Sequence, residues 1–217
     1  MATLPARQGP ALHLLRHGFV QQARKLPSYP QDMTDKTTIE YTVPGMSTAD
    51  GGTVASVLQE RLHAYNDLHL TLKHVHWNVV GPNFIAVHEM LDPQVEAVRG
   101  FADSVAERIA TLGGSPQGTP GAIVAQRSWE DYSIGRATAN EHLGALDLVY
   151  GGVISSLRKA IAQVGELDPI TEDLLIGQSG ELEQFHWFVR AHLENSQGQL
   201  STADAGSESA AASAAGA

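Results

Sequence analysis

The sequence predicts an all-α fold, a four-helix bundle with a short extra helix in the long connection between the second and third helices. Three observations carry this expectation. Apolar residues recur every three or four positions through four long stretches. Glycine- and proline-bearing breaks separate those stretches. No run shows the strict alternation of a half-buried strand. Four helices of such length on short or medium loops form a bundle, and the long second connection reads as a crossover between two hairpins.

The first stripe lies between Thr53 and Val80 and consists of Val54, Leu58, Leu62, Tyr65, Leu68, Leu72, Val75 and Val79. Gly81-Pro82-Asn83 ends it, and Asn83 is placed to cap the next helix. The second stripe is Phe84, Val87, Leu91, Val95, Val98, Ala102, Val105, Ile109 and Leu112, closed by Gly113-Gly114. Pro93 falls inside it, lacks a backbone donor, and predicts a kink near Asp92. The connection from Ser115 to Gly121 is rich in Gly and Pro, with a short helix expected near Ala122–Arg127. A third helix is expected over about Ile134–Val164. The fourth, about Ile170–Glu194, carries Leu174, Leu182, Phe185, Val189 and Leu193, with Thr171 or Asp168 as its cap.

Composition bounds the function. The 217 residues suit one domain with tails: an extended segment over 1–41, a bundle over 42–199, and an Ala/Ser-rich, flexible tail over 200–217. Without cysteine, disulfide frameworks, thiolate metal sites and cysteine nucleophiles are excluded. No apolar run reaches the roughly 18 residues of a membrane span, and Arg16 and His17 interrupt the N-terminal apolar stretch, so a cytoplasmic protein is expected. The net charge of −10 opposes nucleic-acid binding by the whole surface. Residues 1–31, however, hold Arg7, Arg16, Arg24 and Lys25 with no acidic residue. That arm has three readings: inert, a DNA contact, or a metal carrier through His13 and His17.

The stretch "HVHWNVVGPNFIAVHEMLD", residues 74–92, is dense in metal-capable side chains. Its three-residue break folds two helices into an antiparallel hairpin, which sets His76 and His88 at similar depth. His88 and Asp92 share a face at i, i+4, and Asp103 and Glu107 repeat that spacing. Imidazole and carboxylate without sulfur suit Fe(II), Mn(II) or Zn(II). Asp92 and Asp103 are separated by about 16 Å of helix, beyond any pair of side chains on one metal. A second copy packed across a two-fold axis would bring its Asp103 and Glu107 to His76, His88 and Asp92, so the pattern reads as a pair of shared sites.

"HWNVVGPNFIAVHEMLD" followed by "DSVAER" resembles the signature of the Dps family, the ferritin-like mini-shells that bind DNA in starved bacteria. The likeness spans about Thr42–Gln199, including "YNDLHLTLKHVHWN" and "ELEQFHWFVRAHLE". His76, His88, Asp92, Asp103 and Glu107 match the family's ferroxidase ligands in type and spacing. The resemblance implies a homo-dodecamer that oxidises Fe(II), preferentially with hydrogen peroxide, at two-iron sites between subunits. It implies storage of ferric mineral in a hollow shell, and a nucleoid association where DNA is bound. Trp77 resembles the tryptophan beside the centre. Alignment on "WF" of the last helix places Asp173 on the pore aspartate, with Asp168 and Glu183 as further pore positions. The rival reading is a DNA-compacting shell with little ferroxidase activity.

The residues also offer a different metal plan. Glu60-x-x-His63 and Glu183-x-x-His186 have the spacing of a di-iron centre inside one bundle. Glu60 falls on the polar face of its helix, and the third helix offers only Glu141, so this centre is not expected. His63, His69 and His74 read as surface or interface residues.

Overall fold

In the computed structural model, which describes residues 39–217, the bundle is built from two helical hairpins. The first joins α1 (Thr48–Asn78) to α2 (Phe84–Thr111), and the second joins α4 (Ala139–Val164) to α5 (Pro169–Leu193). The crossover carries the short α3 (Pro120–Gln126), and α6 (Glu208–Gly216) follows the bundle. The fold class matches the expectation. Helix α1 starts at Thr48, five residues before the first predicted position, because the Ser47 side chain accepts from the Asp50 amide as a cap. Gly81 turns the first hairpin at φ +95°, a region that favours glycine. Helix α2 continues through Pro93 as one element.

The predicted stripes form the core. Val54, Leu58, Tyr65, Leu72, Val75, Val87, Leu91, Val98 and Val105 are fully buried. Two positions differ. Phe84 stays partly exposed, with its ring tilted on His88 at 4.9 Å. Leu175 is fully buried, and Leu174 beside it only half so. Two polar ties cross the core, from Tyr65 Oη to Gln178 and from Tyr150 Oη to Gln94. Each satisfies a phenol that burial would otherwise penalise.

Three expectations are corrected. The third long helix begins at Ala139 rather than near Ile134. There the Thr138 hydroxyl accepts from the Glu141 amide and the Glu141 carboxylate accepts from the Thr138 amide, a reciprocal cap. The residues before it are extended, and β2 (Ala137–Thr138) pairs in parallel with β1 (Val79–Val80). The end of the chain is not a loose tail. Ala211 and Ala212 of α6 are buried, and α6 lies so close to Gly144 of α4 that a Cβ there would meet the Ala211 carbonyl at 2.5 Å. The link between α5 and α6 is also tied down, because Thr202 is buried and its hydroxyl donates to Asp147.

Candidate metal centre

The hairpin does what its spacing requires. His76 sits in the last turn of α1 and His88 early in α2, and their rings stack with centroids 3.6 Å apart. Each ring is held by the other residue's backbone. His76 Nδ1 donates to the His88 carbonyl at 3.0 Å, and His88 Nδ1 donates to the His76 carbonyl at 2.9 Å. A carbonyl only accepts, so both Nδ1 atoms carry hydrogen, and in the neutral ring this tautomer keeps the Nε2 lone pair for a cation. Metal-ligating imidazoles are commonly fixed by such an outer contact.

Asp92 joins them one turn beyond His88. Its Oδ1 lies 3.3 Å from His76 Nδ1 and accepts from Lys73 Nζ at 3.0 Å. The Lys73 hydrogen bond, reinforced by the charge of Lys73, holds the Asp92 carboxyl below the usual carboxylate range. Lys73 was missed in the sequence reading. The register that pairs 76 with 88 also brings 73 beside 92, so hairpin register was the available signal.

Asp103 and Glu107 are exposed farther along α2. Among the described residues of one chain, no three His, Cys, Asp or Glu side chains gather to hold a metal. His76 lies against both His88 and Asp92 at the hairpin without the three forming a metal-holding cluster by themselves, and Asp103 and Glu107 lie apart from them. Trp77, next to His76, is 70% exposed.

The other sequence candidates divide. Asp173 is exposed and forms no ion pair among the described residues. Asp168 is a correction. Expected at the pore, it is buried, receives Arg108 Nη2 at 2.6 Å, and accepts from Thr171. Burial favours its neutral form, but the Arg108 and Thr171 contacts prevail and keep its acidity strong. Its charge is spent holding α2 to the start of α5. Glu183 is partly committed, to Arg158 at 2.6 Å and Ser179 at 3.0 Å. Arg7, Arg16, Arg24 and Lys25 lie outside the described residues, as do His13 and His17.

The intra-bundle plan finds no support. Glu60 is exposed, His186 binds Asp147 at 2.6 Å, and His63 is engaged elsewhere. His63 is also a correction to a surface or interface role. It is buried, and its Nε2 meets the Gln117 carbonyl at 2.9 Å, pinning the crossover to α1. His74 does similar work through the Ile134 carbonyl.

A Ferritin family model, described as a ferritin-like domain, matches residues 55–198. The DNA protection during starvation protein of Mycolicibacterium smegmatis is 62% identical over 172 residues, covering 79% of this chain and 94% of that protein. The chain belongs to the Dps family. Solved Dps structures agree with the fold. Dps of Mycobacterium smegmatis superposes with TM-score 0.76 at 63% identity, covering 76% of this chain and 95% of that one. DpsA14 from Streptomyces coelicolor gives TM-score 0.75 at 66% identity, covering 76% and 98%. A fine tangled pili major subunit of Haemophilus ducreyi is also similar, 52% identical over 74% of this chain and 85% of that protein. The ferritin-like Dps fold thus accommodates relatives named for different roles. No described helix of this Dps chain is long and apolar enough to cross a membrane.

Proposed function

We propose that this Dps chain is a ferroxidase and iron store that assembles as a dodecamer and works at sites shared between subunits. The observation that carries the reading is the reciprocal imidazole lock. It leaves the Nε2 edge of both rings without a protein partner among the described residues, with Asp92 close by on the Nδ1 side of His76, a half-site that only further oxygen ligands would complete. Asp103 and Glu107 of a second copy are the ligands of the right type. Iron is substrate here, two Fe(II) at each site. Each gives up one electron, and hydrogen peroxide takes both as its O–O bond breaks, leaving water or hydroxide and no hydroxyl radical. Carboxylates and neutral imidazoles suit Fe(II) and tolerate the added charge of Fe(III), though Mn(II) or Zn(II) also fits such donors. Asp173 serves the entry route, where carboxylates around a three-fold axis focus a negative potential on incoming cations.

The test is Fe(II) oxidation by the assembled protein under anaerobic conditions, followed by ferric absorbance after a peroxide pulse. Two Fe(II) consumed per peroxide, at a rate far above the protein-free reaction, is the expected result. A rate equal to the protein-free control would defeat the reading.

The second reading, a DNA-compacting shell, is favoured by one feature, the acid-free residues 1–31 with their four cations. Several copies of such an arm gain avidity although the body carries net charge −10. Gel-shift titrations of the full chain and of a variant lacking residues 1–31 decide it. DNA retardation that is strong at low salt and vanishes with the arm would support it.

A further inference from the structure

Away from the histidine pair, a cleft of about 610 Å³ runs between α1, α4 and the crossover, with the start of α6 at one end. Its Arg61 lies some fifteen residues, about 22 Å of helix, from His76. Arg61 is only 4% exposed. Of its five donors, Nη1 alone makes a hydrogen bond, to Ser156 Oγ at 2.6 Å. The Glu60 carboxylate stands off at 3.7 Å and is itself exposed to solvent, and Arg61 Nε finds no partner among the described residues. A buried guanidinium whose one short hydrogen bond is to a neutral hydroxyl, and whose one ion pair is long and solvent-exposed, is incompletely compensated, and a further anion would lower that cost. The other arginine of the cleft, Arg127, contrasts with it. Arg127 is matched by Asp67 at 3.1 Å and by Asp131.

The rest of the lining narrows the anion. Ala64, Leu68, Val149 and Val153 give the cleft an apolar floor. Ser156 already donates its proton to the Val153 carbonyl, so it offers an incoming anion nothing, and Arg61 is the cationic anchor. Glu60 and Glu130 at the rim raise the cost of a doubly charged group such as phosphate. The volume lies within the usual range of small-molecule pockets, about 300–1,000 Å³. We propose that this cleft binds a small monocarboxylate with an apolar body, its carboxylate on Arg61 and its hydrocarbon along the Ala64, Leu68, Val149 and Val153 floor. This site is independent of the metal centre, and its failure would leave the ferroxidase reading intact.

Octanoate is the probe, titrated calorimetrically into the assembled full-length protein, with 1-octanol and inorganic phosphate as comparisons. Saturable binding of one octanoate per chain is expected, with octanol and phosphate each binding at least about tenfold more weakly. Arg61→Met should weaken octanoate by a similar factor and leave octanol unchanged. A second variant keeps the test valid if Arg61→Met does not assemble. Gly152→Leu adds a side chain at a cleft-lining position where a Cβ meets nothing within 4 Å, so it should fill the cleft, abolish octanoate binding and preserve the fold. Equal binding of octanoate and octanol, undiminished binding to either variant, phosphate binding as tightly as octanoate, or no saturable octanoate binding each overturns the proposal.

Discussion

At the residue scale, Asp147 shows how a buried charge fastens the later half of the chain. One carboxylate oxygen meets His186 Nε2 at 2.6 Å and Arg190 Nε at 3.1 Å, and the other accepts from Thr202 at 2.6 Å. Burial alone would raise its pKa, but the three donors win and hold it at about 2. An ordinary aspartate titrates near about 3.9 when unfolded. The stabilisation is therefore full above about pH 4 and is lost as pH falls towards 2. Asp147→Asn should destabilise the protein by about 3 kcal/mol at neutral pH, since it leaves buried donors mismatched. Melting curves at fixed protein concentration should show the gap between wild type and variant narrowing below pH 4. A gap that widens with acid would assign the stabilisation to another group. At this scale the sequence was legible where spacing carried information. His76, His88 and Asp92 meet because hairpin register and i, i+4 spacing dictate it. Asp168 misled because a carboxylate at a helix start looks the same whether it faces a channel or an arginine 60 residues away. Lys73, His63 and Asp147 act through partners distant in sequence, which periodicity does not reveal.

At the element scale, the long helices were legible because each has an apolar stripe that only a bundle can bury. Helix α6 was not. Its run of alanine and serine has no stripe, and the same composition reads equally as a linker. Alanine is nevertheless the best helix former, and its small side chain permits the close approach to Gly144 that docks α6 on α4. Glu208 adds a second anchor by accepting from the Ser133 amide and hydroxyl at 2.9 and 3.0 Å. Gly144→Val should therefore detach α6 while leaving the bundle folded. Limited proteolysis checks this: the variant is expected to lose its C-terminal residues at least tenfold faster, with an unchanged helical core. Equal cleavage of the two proteins would mean that α6 holds without the close contact. The start of α4 was misjudged for a related reason. The expected third helix includes Ile134 to Thr138, but the reciprocal cap at Thr138 and Glu141 and the strand pairing with Val79–Val80 start it at Ala139.

At the scale of the whole molecule, the proposed metal centre requires two chains. Within one chain the imidazole half is assembled and the acidic half is about 16 Å away along α2, a distance no rotamer closes. A complementation experiment follows from that geometry. One variant carries His76→Ala with His88→Ala, and the other carries Asp103→Ala with Glu107→Ala. Assembled alone, each should lose most ferroxidase activity, because every site lacks one half of its ligands. In a mixed dimer one site joins both damaged halves, while the other joins intact histidines to intact acids and should turn over. Random mixing makes roughly half of the dimers mixed, so co-refolded shells should recover about a quarter of wild-type activity if sites act independently. Size-exclusion chromatography of each preparation separates assembly from chemistry, which matters because the histidine variant also loses the reciprocal carbonyl contacts of the hairpin. Recovery near a quarter requires that the acidic half come from the neighbouring chain. No recovery from correctly assembled mixtures would place all the working ligands within one chain, against the 16 Å gap.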